Sequence, residues 1–214
     1  MSTINSEKRI YIIGAGSVGG HIGTNPQLYG LEEVDIIYID NDINKIGKFF
    51  HGKKIIGPVE YLLEIKEPIN VVIGVALQSI KKRIFNKLSH MKNISFPSLI
   101  AKNAWVSPDT KIGVGVIVYP NTSINYGCTL DDFSILNMNC AVGHECHIGK
   151  FSSLAPGVNL GGNTIIGEFT EMGIGCVTKQ LISIGDNVQV AGQAMVVNDL
   201  QSGVKVKGVP AKEY

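Results

Sequence analysis

The sequence predicts two successive units: a small α/β unit built on a parallel sheet, then an all-β parallel β-helix made of six-residue repeats. Two observations carry the second half. An apolar side chain stands at every sixth position through Val106, Ile112, Val118, Ile124, Leu130, Leu136, Val142, Ile148, Leu154, Leu160, Ile166, Met172, Thr178, Ile184, Val190 and Val196, with Thr178 the single exception. Four residues after many of these comes a small one, among them Thr122, Cys128, Ser134, Cys140, Cys146, Ser152, Thr164, Thr170, Cys176 and Ala194. The third observation is that residues 9–91 show no such register and instead alternate apolar runs with helical segments.

A helix repeats at about 3.6 residues and a strand at 2, so neither alone sustains a period of six. Three short strands per coil do, with an eighteen-residue coil stacking on the next at roughly the inter-strand spacing of 4.8 Å. The sixth-position aliphatics point inward, the small residues fill the corners, and roughly five coils result. Each inward aliphatic contributes about 1.5–3 kcal/mol of burial. The segment after Val196 is expected to cap the last coil, since open edges invite aggregation.

In the first half, residues 9–16 (RIYIIGAG) read as a strand ending in glycines and residues 18–29 as a short helix interrupted by Pro26. Residues 34–40 (VDIIYID) and 70–76 (NVVIGVA) are further strands, a Lys-rich helix spans about 79–91, and 93–103 is a linker. Strands alternating with helices imply a parallel sheet with right-handed crossovers.

Composition excludes several function classes. A net charge of +1 with 17% charged residues argues against a nucleic-acid-binding or disordered chain. The opening MSTINSEKR has no apolar signal core, and the longest apolar run is short of the ~18–20 residues of a membrane helix. A cytoplasmic location is the expectation. The four cysteines all occupy small corner positions and form no Cys-x-x-Cys pair, so they read as buried reduced thiols and not as metal ligands.

Gly14, Gly16 and Gly19 have the G-x-G-x-x-G spacing after a strand, with Asp40 closing the next strand. Such a turn lets backbone approach a phosphate and sets a helix N-terminus toward it, while the acidic residue can meet a ribose hydroxyl. The same glycines can serve packing alone. No second mononucleotide half follows, which favours a mononucleotide or nucleotide-sugar ligand over a whole NAD.

His144 and Glu145 are the third and fourth residues of the hexad 142–147, an outward turn position. One coil further on stands Gly162, with Asn163 beside it. A bulky outward His beneath a glycine leaves a notch beside backbone amides, suited to a general base with an oxyanion donor above it. Glu145 can orient the imidazole, or the pairing can come from a neighbouring subunit. His147, His51 and His90 read as surface residues, and Lys81-Lys82-Arg83 as a solvated helix face with phosphate contact the alternative.

The hexads, with NCAVGHECHIGKF at 139–151, GGNTIIG at 161–167 and GVPAK at 208–212, resemble the bacterial hexapeptide-repeat sugar acetyltransferases. The most similar group is the N-acetyltransferases of UDP-4-amino-4,6-dideoxy sugars and the related sialic acid O-acetyltransferases. The resemblance spans essentially the whole chain and is more specific in its second half. It implies a Rossmann-like nucleotide-sugar-binding domain over residues 1–98 and a left-handed parallel β-helix acyltransferase domain over 99–214. It further implies acetyl-CoA as co-substrate, no metal, and a homotrimer with sites between subunits. By this resemblance His144 is the general base, Glu145 its polarising partner and the Gly162 amide the oxyanion donor. Gly162, Gly173, Ile174 and Gly192 line the acetyl-CoA path, and Gly14, Gly16, Ser17, Asp40 and Asn41 hold the nucleotide sugar.

The chain departs from the family pattern where the first loop reads GAGSVGGH, where Ala76-Leu77-Gln78 follow the third strand, and at Ala101. The leading expectation is acetyl transfer to an amino group of a nucleotide-activated sugar for surface glycans. O-acetylation of a sialic acid, an NAD-binding oxidoreductase and a non-catalytic trimeric scaffold are the alternatives.

Overall fold

The computed structural model describes residues 9–214. The first eight residues of the predicted N-terminal unit, with most of its polar opening segment, lie outside the described residues. The chain divides into two compact units between Ser98 and Leu99.

Among its described residues the first unit is a six-stranded sheet with two α-helices and two 3-10 turns. Its strands are β1 (Arg9–Ile13), β2 (Asp35–Ile39), β3 (Phe49–Phe50), β4 (Lys53–Gly57), β5 (Ile69–Ile73) and β6 (Ile94–Ser95), in the order β3-β4-β2-β1-β5-β6. β1, β2 and β5 are near-continuous apolar runs because both faces of a parallel sheet are covered. Ile10, Ile12, Tyr38, Ile39 and Val71 are fully buried. All pairings are parallel except β3 with β4, a hairpin whose two-residue turn puts His51 and Gly52 at φ 47° and 75°. Two left-handed residues make the turn that matches strand twist. The sequence reading passed over this hairpin.

The expected helix over 18–29 is two elements, α1 (Ser17–Thr24) and a 3-10 turn at Pro26–Tyr29. Asn25 leaves helical geometry because proline disfavours the α region in the residue before it. The Lys-rich helix is α2, Gln78–Leu88. Here one expectation is corrected. Lys81 is not on a solvated face: with Ile84 and Leu88 it forms the i, i+3, i+7 stripe that α2 buries. Lys82 and Arg83 are exposed as expected.

The second unit is a left-handed parallel β-helix. Its two-residue strands stack at eighteen-residue intervals into three sheets. One runs from Leu99–Ile100 through Ile135–Leu136 to Lys205–Lys207, the next from Trp105–Val106 to Met195–Val196, and the third from Lys111–Ile112 to Ser183–Ile184. The predicted linker 93–103 is thereby corrected, since Ile94–Ser95 is the sheet edge of the first unit and Leu99–Ile100 the first rung of the second. Ile100 stands six residues before Val106 and continues the apolar register. At the other end the interval shortens to sixteen residues, with Val206 pairing Val190, and an antiparallel Lys212–Glu213 strand closes the sheet.

From Ile112 to Val190 the corners are built alike. Three residues after each inward side chain the backbone is left-handed, at Gly115, Asn121, Gly127, Phe133, Asn139, Glu145, Phe151 and onward to Gln193. Two residues of ordinary geometry and one of positive φ turn the chain about the triangle. The small residue that follows does more than fill space. Thr122, Cys128, Cys140, Cys146, Ser152 and Thr170 each donate to the carbonyl fifteen residues ahead, in the next coil. The cysteines are thus weak donors in a hydroxyl's place. Burial pushes the Cys140 thiol up to about 11 and Cys176 up to about 12, which keeps both protonated. Phe133, Phe151 and Phe169 stack at 5.3 and 5.1 Å along another corner.

Two predictions follow from this packing. Leu136, fully buried in the inward column, should cost about 2–5 kcal/mol when changed to Ala, read as a lower urea midpoint. Burial lowers the Lys81 ammonium from 10.5 to about 7. Between these values the unfolded chain holds the proton and the folded chain does not, so this group makes stability rise with pH from about 7 to about 10.5 and leaves it flat below. Lys81→Met should abolish that slope in urea melts compared at pH about 7 and about 9.5.

Candidate active site

The corner between the second and third sheets carries a column of residues spaced by eighteen: Tyr126, His144 and Gly162. His144 leaves the corner two residues after inward Val142, and its side chain is 39% exposed. Its Nδ1 lies 3.0 Å from Glu145 Oε2, so the pairing that sequence left open forms within one chain. A carboxylate only accepts, which places the proton on Nδ1 and the lone pair on Nε2. The pair is half-exposed and worth about 0–1 kcal/mol to stability. Its consequence is orientation.

Above the ring the backbone of Gly162 closes in. A Cβ built on Gly162 would stand 2.5 Å from His144 Nε2. The Gly162 carbonyl accepts the Leu181 amide at 2.9 Å, whereas its own amide has no acceptor among the described residues. Free amides recur at this corner position in several coils, so the unpaired N–H alone is no signature. What distinguishes Gly162 is its nearest neighbour, a side chain with a free basic nitrogen. Below the ring, Tyr126 stacks on His144 with its ring near parallel and offset, centroids 5.3 Å apart and planes 11° from parallel. Sequence reasoning did not single out Tyr126, although subtracting eighteen from 144 finds it.

Glycines of two kinds are separated by their neighbours. Gly143, Gly161 and Gly173 each follow an inward residue, and a Cβ on any of them would meet backbone of the next coil at 2.5–2.6 Å. Coil stacking alone requires them. Gly173 therefore has a packing explanation, in contact with Gly192. Ile174 is 61% exposed and Gly192 sits one coil above it. These predicted acetyl-CoA residues lie on the corner between the first and second sheets, not on the His144 corner. The second sheet separates the two corners. Its outer side holds an open groove of about 480 Å³ lined by Trp105, Ser123, Ala141 and Asn159 and reaching Gly143 and Gly161 beside the His144 column.

In the first unit the structure gathers Gly14, Gly16, Ser17 and Asp40 around Ala15. Gly14 has φ 106°, and a Cβ there would meet the Gly74 carbonyl at 2.8 Å; one on Gly19 would meet the Gly14 carbonyl at 2.0 Å. Both serve strand and helix packing. Gly16 faces open space and Ser17 is exposed, at an α1 N-terminus with no side-chain cap and no acidic residue in its first turn. An anion is favoured there.

Asp40 is committed to the fold. Its carboxylate accepts the Ala15 amide at 2.9 Å, the Asp42 amide at 2.9 Å and Lys45 Nζ at 3.0 Å. Burial pushes this carboxyl up, but the Asp42 amide, Lys45 and the Ala15 amide outweigh it and hold it below the usual carboxylate range. Asn41 Oδ1 accepts the Val59 amide at 2.9 Å and anchors the 3-10 turn Val59–Leu63. His51, read as solvated, packs against Phe50 at 4.3 Å between ring centroids, and His147 meets Asp131 at 2.7 Å. Among the described residues no cluster of three or more His, Cys, Asp or Glu could hold a metal, and no helix is long and apolar enough to cross a membrane.

No known protein-family profile matches the chain. An uncharacterized protein of Acanthamoeba polyphaga mimivirus is 30% identical over 146 residues, 64% of this chain, and the chain spans about a quarter (26%) of that protein's length. Among solved structures, the acetyltransferase domain of PglB from Neisseria gonorrhoeae is 28% identical with a TM-score of 0.90, covering 97% of this chain and 100% of that one. The same domain in complex with acetyl coenzyme A superposes with a TM-score of 0.88, covering 97% and 99%. A perosamine N-acetyltransferase variant from Caulobacter crescentus, in complex with CoA and GDP-perosamine, shares the fold at 24% identity, with a TM-score of 0.88 and 98% of each chain covered. Over the β-helix and the α/β unit before it alike, this chain is similar in fold to the hexapeptide-repeat sugar acetyltransferases that these structures represent.

Proposed function

We propose that this protein transfers the acetyl group of acetyl-CoA to an amino group of a nucleotide-activated amino sugar destined for a surface glycan, with His144 as general base. The observation that carries the reading is the His144 column itself. Glu145 holds one ring nitrogen at 3.0 Å, and the other, bearing the lone pair, faces Gly162. His144 Nε2 takes the proton as the amine nitrogen bonds to the thioester carbon. The Gly162 amide donates to the oxyanion that forms, and the C–S bond then breaks to release CoA. The thioester supplies a good leaving group, so the protein has to align, deprotonate and stabilise charge. General base catalysis contributes about 10²–10⁴ and one oxyanion donor about 10²–10³.

The gonococcal domain that matches over 97% of this chain binds acetyl-CoA, which supports the same donor here. The split of the predicted residues between two corners supports a homotrimer, in which Gly173, Ile174 and Gly192 of one copy face the His144 corner of another. In the first unit, Gly16 and Ser17 at the open helix N-terminus are assigned to the nucleotide phosphates. Gly14, Asp40 and Asn41 support them by fixing the turn. A cytoplasmic enzyme acting on activated sugars fits these assignments.

Release of CoA thiol from acetyl-CoA tests the reading, against UDP-, GDP- and dTDP-linked amino sugars and free sialic acid. Turnover of a nucleotide amino sugar is expected; turnover of sialic acid alone would move the acceptor to a hydroxyl, and none at all would sink the reading. His144→Asn should lower kcat by about 10²–10⁴ with an unchanged melting temperature, because the ring lies outside the core. Gly162→Ala should lower it by about 10² or more, since the new methyl group displaces the imidazole. The same change should leave stability level or raise it by up to about 1 kcal/mol, because φ at Gly162 is not left-handed.

A further inference from the structure

We infer that Tyr126 is a positioning residue that fixes the plane of the His144 imidazole, while Gly127 beside it leaves the space that the Glu145 side chain occupies. The inference rests on the reading of His144 as base for its catalytic consequence, and on geometry alone for its structural content. Tyr126-Gly127 is the same two-residue step as His144-Glu145, one coil earlier. The Tyr126 ring lies beneath the His144 ring with planes 11° apart, and the Tyr126 carbonyl accepts the Glu145 amide at 2.8 Å. Under the carboxylate there is a glycine: a Cβ on Gly127 would stand 2.9 Å from Glu145 Cγ. Ring therefore lies under ring, and an absent side chain lies under the Glu145 stem.

The lower step is itself held. Asn125 Oδ1 accepts the Tyr126 amide at 2.8 Å, and Asp109, another coil down, accepts the Gly127 amide at 2.8 Å. An exposed histidine normally samples several rotamers. Here Tyr126 bars motion on one side, Gly162 on the other, and Glu145 fixes rotation about the ring axis. Tyr126 is itself 52% exposed, so burial does not account for an aromatic at this place. A flat π-face matched to the imidazole does, because parallel offset stacking of two rings is favourable and directional.

The test uses the full chain, isotopically labelled, with Tyr126→Leu and Tyr126→Phe beside wild type. In the absence of substrates, the ring-current displacement of the His144 Cε1 and Cδ2 protons reads the stack directly. It should persist in Tyr126→Phe and vanish in Tyr126→Leu, with the melting temperature of both variants matching wild type. In turnover, Tyr126→Leu should lose about 10- to 100-fold in kcat with the KM for acetyl-CoA within about twofold of wild type, and Tyr126→Phe should restore kcat. An unchanged ring-current shift in Tyr126→Leu overturns the proposal. So does an undiminished kcat, or a Tyr126→Phe as impaired as Tyr126→Leu, which would assign the role to the hydroxyl. Absence of turnover in wild type would count against the transferase reading alone, because the proton shifts still decide whether Tyr126 holds the imidazole.

Discussion

The interval of eighteen residues between stacked backbones is the constraint on which the rest of this protein depends. The β-helix strands from Leu99 to Val196 are each only two residues long and could not persist alone. They persist because each coil donates its amides to the next, as Ser123 does to Cys140 and Ala141 to Val158. That ladder admits no slip. A shift of one residue would turn an inward aliphatic outward and bring β-branched residues such as Val116, Thr122, Val158 and Ile182 to left-handed corners. Once the interval holds, the neighbours of any side chain are the residues eighteen before and eighteen after it.

This arrangement separates stability from chemistry. The column through Leu136, Leu154 and Met172 is buried, and each of its members contributes about 1.5–3 kcal/mol. The His144 column is outward, its ion pair contributes about 0–1 kcal/mol, and nothing in the core leans on it. The left-handed corner at Glu145 needs no functional explanation either. It repeats at Asn139, Phe151 and Asn163, so its strain belongs to the architecture. The functional signal lies in which side chains the architecture places at successive corners.

The same interval decides what could be read before any coordinates. The three sheets, the inward column and the juxtaposition of His144 with Gly162 were all legible, because each follows from a period that the residues display. Ile100 and Tyr126 obey that period too and were passed over, the first because it falls inside the segment read as a linker and the second because only the coil after His144 was inspected. In the α/β unit no period exists to exploit. The Phe49–Gly57 hairpin rests on a two-residue turn at His51-Gly52, and the burial of Lys81 depends on which stripe of α2 the sheet covers. Three basic residues in a row do not reveal that one of them faces inward.

The glycine motif shows most clearly why a spacing underdetermines a site. Gly14 and Gly19 answer to backbone that would collide with any Cβ, and Asp40 spends its carboxylate on Ala15, Asp42 and Lys45. A turn of this shape needs them whether or not a nucleotide binds. Gly16 alone has neither a neighbour nor a left-handed φ to account for it. Gly162 is its counterpart in the β-helix, where the nearest heavy atoms belong to His144 and not to backbone. A glycine that backbone packing does not require leaves room for something else. At Gly16 that room lies open before an uncapped helix N-terminus, suited to an anion; at Gly162 the His144 imidazole occupies it, with Nε2 held against the Gly162 backbone.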